Sequence, residues 1–299
     1  MTATSTARGA TTAPRGSDAP PARRRRRPLR RHAIYLALVA ISVVYLFPFA
    51  IQVATAFKTD AQAAAEPLTL VPSPATTAAL ERLLANSDFP LWAANSALVA
   101  VVVTTGRVLF AAMAGYALSR LHWRGRAVVF AGVVAVMAVP QVVLLIPKFL
   151  VINQLGIYDS YAGMVVPLLA DATSVFIMKN FFDTLPVSVE EAARIDGAGV
   201  VRTFWSVVLP MARPALVTVL ILSFQGSWNE LSHFIVSTQS PELTTLTKGV
   251  ANLASGALGQ SQQFPLRLGA AALMTIPVAV LFFVFQRRIT ATGEGAEKG

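Results

Sequence analysis

Hydrophobic residues in this chain are gathered into six long blocks separated by polar connections. A block of about twenty apolar residues is long enough to cross the hydrocarbon core of a bilayer as a helix. No block alternates apolar and polar residues as a membrane β-barrel strand does, and backbone groups in lipid must bond within their own segment. The pattern therefore predicts an all-α, polytopic membrane bundle of six transmembrane helices. The predicted spans are residues 33–56, 96–118, 127–146, 162–182, 214–236 and 266–286.

The composition agrees with this class of protein. Mean hydropathy is +0.59, 55% of the residues are hydrophobic and 13% are charged, as is typical of polytopic membrane proteins. The chain has no cysteine, which excludes disulfides and cysteine-based metal sites. The first block starts after about thirty residues and is longer than the apolar region of a signal peptide, so we expect it to be retained as a span.

Positive charge is concentrated on alternate connections. The net charge of +10 owes much to a run of arginines just before the first block, where they would meet anionic lipid. The charge therefore predicts membrane orientation and no nucleic-acid binding. Because arginine-rich connections stay in the cytoplasm, both termini are predicted to be cytoplasmic. The later arginines on that side are Arg120, Arg124, Arg126, Arg194, Arg202, Arg213, Arg287 and Arg288.

The same pattern divides the chain into five regions. The first, residues 1–32, is predicted to be a disordered basic tail, because it buries too little apolar surface to offset its chain entropy. Of the polar connections outside the membrane, 59–90 and 237–265 are long and are candidates for contact with an external partner. The remaining regions are a first transmembrane helix (33–58), an extracytoplasmic loop (59–90), a permease core of five spans (91–290) and a C-terminal tail (291–299).

The connection at 186–214 is the most ordered polar segment. Ser188, followed three residues later by Glu191, has the form of a capping box and predicts a helix start. Gly197 predicts the end of that helix, since glycine adopts the left-handed conformation common at helix ends. The unit is either a docking element for a partner or a hairpin that merely caps the bundle. A second helix, 199–208, is predicted to carry an apolar stripe of Val201, Phe204, Trp205 and Val208.

The residues of this connection resemble the EAA motif of ABC importer permeases. That motif reads Glu-Ala-Ala, three residues, Gly, nine residues, Ile-x-Leu-Pro, and valine in place of isoleucine is the only departure here. The resemblance covers residues 33–299 and is to the carbohydrate-uptake branch, in particular the maltose-transporter-type second permease. The matching motif residues are Glu191, Ala192, Ala193, Gly197, Val207, Leu209 and Pro210, and further matches in chain order lie at 57–59, 95–96, 114–120, 155–157 and 228–230.

The resemblance implies a type I ABC importer permease fold in a bacterial cell membrane and a sugar or oligosaccharide substrate. It implies four kinds of partner: a second permease subunit, two cytoplasmic ATP-binding subunits, an extracytoplasmic solute-binding protein and membrane lipid. The chain itself would not be an enzyme, and its sequence contains no phosphate-binding Gly-x-x-x-x-Gly-Lys-Ser/Thr loop, so no cofactor or metal is expected. The residues implied in coupling to the ATPase are Glu191, Ala192, Ala193, Asp196, Gly197 and Pro210.

Polar residues inside the spans suggest a translocation pathway. Gln225, Trp228, Asn229 and Glu230 lie together in the fifth block, and an ionisable group in a membrane helix is a functional candidate. An aromatic ring beside hydrogen-bonding groups suits a sugar. The alternative is that Asn229 and Glu230 pair with a neighbouring helix or lie near the outer end of the span.

One basic residue lies in the middle of the second block. Arg107 either extends its charge towards the interface or pairs with Asp171 of the fourth block. The competing function for the whole chain is a self-contained, ion-coupled secondary transporter or channel that uses Arg107, Asp171 and Glu230. That function predicts inverted-repeat similarity between the halves, which the sequence does not show, and it leaves the connection at 186–214 unexplained.

Overall fold

A computed structural model of the chain describes residues 28–85, 88–255 and 263–296, with side chains from 32 to 286. The regular elements in these ranges are helices, which confirms the all-α class. Most of the predicted N-terminal tail and the last three residues lie outside the described part. The described residues divide after Phe47 into two units, and apart from the first part of α1 the features below belong to the second unit.

The described ranges contain α-helices joined by short turns. Two 3₁₀ turns lie at Gln141–Leu144 and Pro241–Leu243, and a π-helical turn lies at Phe204–Val208. The α-helices are α1 (Pro28–Ala56), α2 (Asp60–Ala65), α3 (Ala78–Ala85), α4 (Phe89–Ser119), α5 (Arg126–Met137), α6 (Leu145–Gln154), α7 (Tyr161–Leu169), α8 (Ala172–Thr184), α9 (Val187–Ile195), α10 (Val200–Thr203), α11 (Leu209–Met211), α12 (Arg213–Trp228), α13 (Ser232–Ser237), α14 (Leu246–Ser255) and α15 (Phe264–Ala296).

Within the described residues, four segments are long and apolar enough to cross a membrane as they stand. Two further pairs of helices pass the same test only together, because each is bent: by 105° between Met137 and Gln141, and by 80° between Met211 and Arg213. Counting each bent pair once gives six, the predicted number, although the second pair includes residues 200–211, which were predicted to belong to the connection before the fifth span. The four other segments are His32–Ala56, Phe89–Ser119, Tyr161–Thr184 and Phe264–Gln286.

Three of the predicted spans are broken in ways that the hydropathy pattern did not show. The third, predicted as one helix, turns sharply before Pro140, which lacks an N–H group and disfavours helical geometry in the residue before it. The fourth is interrupted at Ala170, and α8 restarts with Asp171 as its cap, since the Asp171 carboxylate accepts the Ser174 N–H at 2.7 Å. The fifth ends at Trp228, well before the predicted residue 236.

Helix α4 is the central helix of the second unit. It contacts α7, α8, α12 and α14, and it contributes residues to all three buried apolar clusters. At Gly115 the α4 and α8 backbones approach closely: a Cβ placed there would lie 2.7 Å from the Met178 Cβ and 2.8 Å from the Lys179 backbone nitrogen. A glycine at this position therefore sets the spacing of the two helices.

Helix α9 begins two residues earlier than predicted. Pro186 is the N-cap residue and Ser188 already lies inside the helix, without a capping hydrogen bond, so the predicted capping box is wrong. Its end was predicted correctly. Gly197 has φ +81°, and the N–H groups of Gly197 and Ala198 bond to the carbonyls of Arg194 and Ala193 at 3.0 and 2.9 Å. These two bonds form a Schellman motif.

The segment after Gly197 does not present the predicted stripe. Phe204 and Val208 are buried in the cluster around Tyr116, but Val201 and Trp205 are 71% and 47% exposed. Residues 204–208 adopt a π turn, which has a longer repeat than the α-helix assumed in the prediction, so Trp205 does not share the buried side of Phe204 and Val208.

Gly115→Ala should destabilise the protein. The added methyl group would meet backbone atoms of α8 that cannot move without separating the helices, and such overpacking costs about 1–3 kcal/mol. Thermal unfolding of the purified protein in mild detergent measures the effect. Gly132→Ala in α5 is the matched control, since no atom lies within 4 Å of its added Cβ. Equal melting temperatures for the two variants would contradict the close approach.

Gly197→Ala should cost stability for a different reason. No atom lies within 4 Å of the added Cβ, so the expected loss of about 1–2 kcal/mol comes only from placing an L-residue at positive φ. Gly199→Ala is the control, because that position is equally open and has φ −71°. We expect the same unfolding assay to detect a larger loss at position 197 than at 199, where the only cost is that alanine is a poorer N-cap residue than glycine.

Candidate functional site

The outward face of α9 and of the turn that follows is an exposed apolar patch with charged neighbours. Ile195 is 86% exposed, and Glu191 beside it also faces outward. An exposed apolar patch bordered by charged residues is typical of a surface that contacts another protein. We call this patch the α9 surface; it consists of Val187, Glu191, Ala192, Ile195, Val200, Val201 and Trp205.

The residues expected to couple to an ATPase are distributed over this region. Glu191, Ala192, Asp196 and Gly197 are exposed, while Ala193 is half-buried. Pro210 is also exposed and occupies the first turn of α11, directly after the π turn. The structure thus brings the motif together along one short helix and the end of the next.

Glu190, which the motif comparison passed over, is the one residue of α9 that is fully buried. Its side chain is 4% exposed, with Oε1 3.1 Å from Arg120 Nε, and its Oε2 accepts the Tyr116 hydroxyl at 3.3 Å. Helical spacing could have predicted this burial, because Glu190 and Ala193 are three residues apart and therefore share the inward face of α9. The two neighbouring glutamates therefore serve opposite sides of the helix.

Arg120 caps the end of α4 and reaches two other elements. Its Nη2 group donates to the backbone carbonyls of Phe182 and Leu185, each at 2.5 Å, where α8 ends. Carbonyls in the last turn of a helix have no partner within it, and a cation there also suits the helix dipole. We call Arg120, Glu190 and Tyr116 the Arg120 cluster. Removing one partner of such a buried ion pair costs about 3–5 kcal/mol.

The predicted pathway residues do not share one environment. Gln225 and Asn229 are exposed on α12, and the Asn229 side chain donates to the Gln225 carbonyl at 3.0 Å. Trp228 is 5% exposed, donates its indole N–H to the Met274 carbonyl at 3.0 Å and stacks on Phe224. The ring expected to stack on a sugar is therefore part of the core.

Glu230 has a local structural partner. Its Oε1 accepts the backbone N–H of His233 at 2.9 Å, at the start of α13, and its side chain is half-buried. On the other side, the His233 ring nitrogen Nε2 lies 3.1 Å from the Gly163 carbonyl of α7. Glu230 thus bonds locally, to a residue of its own predicted block, and not to a neighbouring span.

Arg107 and Asp171 do not form the expected ion pair. The ion pairs closer than 4.0 Å among the described residues do not include them. Arg107 Nε instead donates to the Leu168 carbonyl at 2.5 Å, which the break between α7 and α8 leaves free. Asp171 is occupied with Ser174, whose hydroxyl and backbone N–H both donate to its Oδ2.

At the far end of the bundle, polar contacts tie the connections together. The Ser240 hydroxyl donates to Asp159 Oδ2 at 2.6 Å, and the Gln239 and Ser240 N–H groups donate to its Oδ1. These hydrogen bonds, first that of the Ser240 hydroxyl, hold the pKa of Asp159 below its ordinary value. Lys248 Nζ donates to the Thr238 carbonyl at 2.6 Å, and burial lowers the Lys248 pKa. This end is thus held in one arrangement.

Three parts of the chain offer groups for apolar contact, ionic contact or hydrogen bonding. They are the α9 surface, the buried Arg120 cluster beneath it, and the exposed side chains of Gln225 and Asn229 at the end of α12. In the described ranges, no group of three or more His, Asp or Glu side chains is placed to share a metal ion. The arrangement suits contact with other molecules.

Curated relatives cover nearly the whole chain. The sn-glycerol-3-phosphate transport system permease protein UgpE of Yersinia pestis is 30% identical over 259 residues, covering 85% of this chain and 92% of the relative. The sulfoquinovosyl glycerol transport system permease protein SmoH of Agrobacterium fabrum is 30% identical over 269 residues, covering 89% and 91%. The trehalose/maltose transport system permease protein MalG of Thermococcus litoralis is 29% identical over 276 residues, covering 91% and 98%.

A solved structure and a family description agree with these relatives. A chain from a bacterial ABC transporter involved in the import of the acidic polysaccharide alginate superposes with a TM-score of 0.75 at 25% identity, covering 87% of this chain and 96% of that one. Residues 107–291 match the family described as binding-protein-dependent transport system inner membrane component. The match extends over more than half of the sequence, and the chain belongs to this family of inner-membrane permease components.

Proposed function

We propose that this chain is the second permease subunit of an ATP-driven importer and that it translocates a sugar or oligosaccharide. The observation that carries the proposal is the α9 surface, an exposed apolar patch on the motif helix, joined to the spans through buried contacts. The similar permeases serve trehalose and maltose, sulfoquinovosyl glycerol and sn-glycerol 3-phosphate, which supports a sugar or a related small polyol derivative.

The proposed assembly contains three further kinds of subunit. A second permease completes the pathway, two ATP-binding subunits dock on the cytoplasmic side, and a solute-binding protein delivers the substrate from outside. The α9 surface is then cytoplasmic, as are both termini, and the far end faces the binding protein. The arginine distribution supports this orientation.

Docking would use the α9 surface as a short helix presented to a groove. Ile195 supplies the largest exposed apolar group, Glu191 a charge beside it, and Ala192 a small residue that permits close approach. The Schellman motif at Gly197 ends the helix abruptly and lets the chain turn back towards α12. ATP hydrolysis would then take place on the docked subunits.

The bonding of the intramembrane charges favours this proposal over an ion-coupled carrier. Arg107 binds a backbone carbonyl, Asp171 caps α8 and Glu230 binds the His233 N–H. Each group thus has a partner within the chain, whereas an ion-coupling site needs groups that are free to exchange a proton or a cation.

For the pathway we propose the exposed face of α12 that contains Gln225 and Asn229. These side chains offer donors and acceptors suited to hydroxyl groups. Arg107 lies beside this face, with Nη1 3.4 Å from where a Cβ at Gly226 would be. On the buried side of α12, the Trp228 indole N–H donates to the Met274 carbonyl, and after α12 the Glu230 carboxylate accepts the His233 N–H.

Ile195→Asp should weaken ATPase association at least about tenfold. The change removes an apolar contact worth about 1.5–3 kcal/mol and adds a charge to the docking surface. Co-purification from mild detergent, followed by ATP hydrolysis in the eluate, measures the association. Leu68→Asp is the matched control, since Leu68 is an apolar residue that is 70% exposed, in the connection after α2. Transport by the wild-type chain alone, driven by an ion gradient and without an ATPase, would contradict the proposal.

The double variant Gln225→Ala, Asn229→Ala should lower uptake about tenfold while the ATPase still co-purifies. Two hydrogen bonds of about 0.5–1.5 kcal/mol each account for that factor. The assay is initial uptake into proteoliposomes of whichever of maltose, trehalose and sn-glycerol 3-phosphate the cognate binding protein binds. Thr275→Ala, whose hydroxyl bonds only to its own helix at Ala271, serves as control. Unchanged uptake in the double variant would exclude this face from the pathway.

A further inference from the structure

Helix α9 is held to the rest of the chain in an unusual way. It has nine residues, and isolated helices of that length are only marginally stable, so its position depends on contacts with other elements. Glu190 is its one fully buried residue. The one fully buried side chain that attaches the docking helix is therefore charged, and it lies beside the half-buried Val189 and Ala193.

The partner of that anchor is itself fixed to two spans. Arg120 belongs to the end of α4, and its guanidinium binds carbonyls at the end of α8 as well as Glu190. Around it, the Ser119 hydroxyl donates to Asp183 Oδ1 at 2.5 Å, which ties α4 to α8 a second time. One guanidinium thus contacts three elements that meet at this end of the bundle.

The link from α9 to α12 is of another kind. It passes through the Gly197 bend and the π turn, and its buried contacts are made by Phe204 and Val208 against the ring of Tyr116. Apolar contacts are non-directional and permit small displacements. The Glu190 carboxylate is instead oriented by the Tyr116 hydroxyl, which donates to its Oε2 at 3.3 Å, and is attracted by the buried Arg120 charge 3.1 Å from its Oε1, a contact without hydrogen-bond geometry whose loss would leave an uncompensated buried charge. The two routes out of α9 therefore differ in stiffness.

We propose that the Arg120–Glu190 pair makes α9 and the adjoining ends of α4 and α8 one rigid unit, so that a movement imposed on α9 reaches α4 directly. Arg120 and Glu190 are positioning residues that transmit motion and touch neither ATP nor solute. This inference rests on the proposed docking of an ATPase on the α9 surface. It predicts that breaking the pair separates ATP hydrolysis from transport.

The rigid unit is tested by distance measurement in the assembled importer. The chain has no cysteine of its own, so Val102→Cys on α4 and Ser188→Cys on α9 can be spin-labelled specifically when cysteine-free partner subunits are used. Val102 lies about 27 Å along α4 from Arg120. A small rotation of α9 relative to α4 would therefore change the distance between the two labels measurably. With the pair intact, double electron–electron resonance should give one narrow distance, unchanged between nucleotide-free and ATP-bound complexes. With Glu190→Gln the distribution should broaden or shift with nucleotide.

The functional test is the number of ATP molecules hydrolysed per solute imported. Glu190→Gln should raise this ratio at least about tenfold while the ATPase remains bound. Lys179→Met is the matched control, because it breaks a more exposed ion pair with Asp183, 2.6 Å apart on the same helix end, and should leave the ratio unchanged. An unchanged ratio and an unchanged distance distribution in Glu190→Gln would overturn the inference.

A second variant guards against a general loss of folding. Arg120→Met with Glu190→Met replaces the buried pair by apolar groups, a change that often preserves stability. We expect the complex still to assemble with the ratio still raised, at a somewhat lower melting temperature because the Phe182 and Leu185 carbonyls lose their donor. A wild-type ratio in this variant would show that the pair serves only stability and would overturn the transmission role. A wild-type complex without any bound ATPase would instead overturn the proposed function itself.

Discussion

Helix ends inside this bundle leave carbonyl oxygens that lipid cannot hydrogen-bond, so the chain must supply the donors itself. Basic side chains do this repeatedly. Arg120 takes the carbonyls of Phe182 and Leu185 where α8 ends, and Arg107 takes that of Leu168 where α7 ends. Outside the spans, the fully buried Lys58 donates to the Glu66 carbonyl at 2.9 Å. The breaks in the helices and the positions of the charges therefore depend on one another.

This dependence changes how a charged residue in a span should be interpreted. Arg107 in the middle of α4 first suggested either an ion pair or a coupling site. Its donation to the Leu168 carbonyl gives it a structural reason to be there, since a broken span next to α4 needs a donor at that depth. Because the guanidinium has several N–H groups, one of them can hold the carbonyl while another lies beside Gly226 on the exposed face of α12. A structural role and a pathway role are compatible in this side chain.

The sequence predicted well those features that local chemistry determines. The helix stop at Gly197 follows from a single residue at positive φ. The broken spans were missed, because hydropathy averages over twenty residues and does not register one proline or one capping aspartate. The burial of Trp228 was missed as well, since its partner, the Met274 carbonyl, lies 46 residues away on α15.

The two adjacent glutamates show why the motif alone gave half of the site. Successive helical residues point about 100° apart, so Glu190 and Glu191 cannot share one side of α9. A family motif identifies the outward residue, which meets a partner, but the inward residue acquires its meaning only from Arg120, seventy residues earlier in the chain. A nine-residue helix with one glutamate on each side has a separate group for the external contact and for the internal attachment. Such a helix can transmit a movement if its inward attachment resists displacement, and a buried ion pair, whose separation would leave two uncompensated charges, resists it more strongly than an apolar contact does.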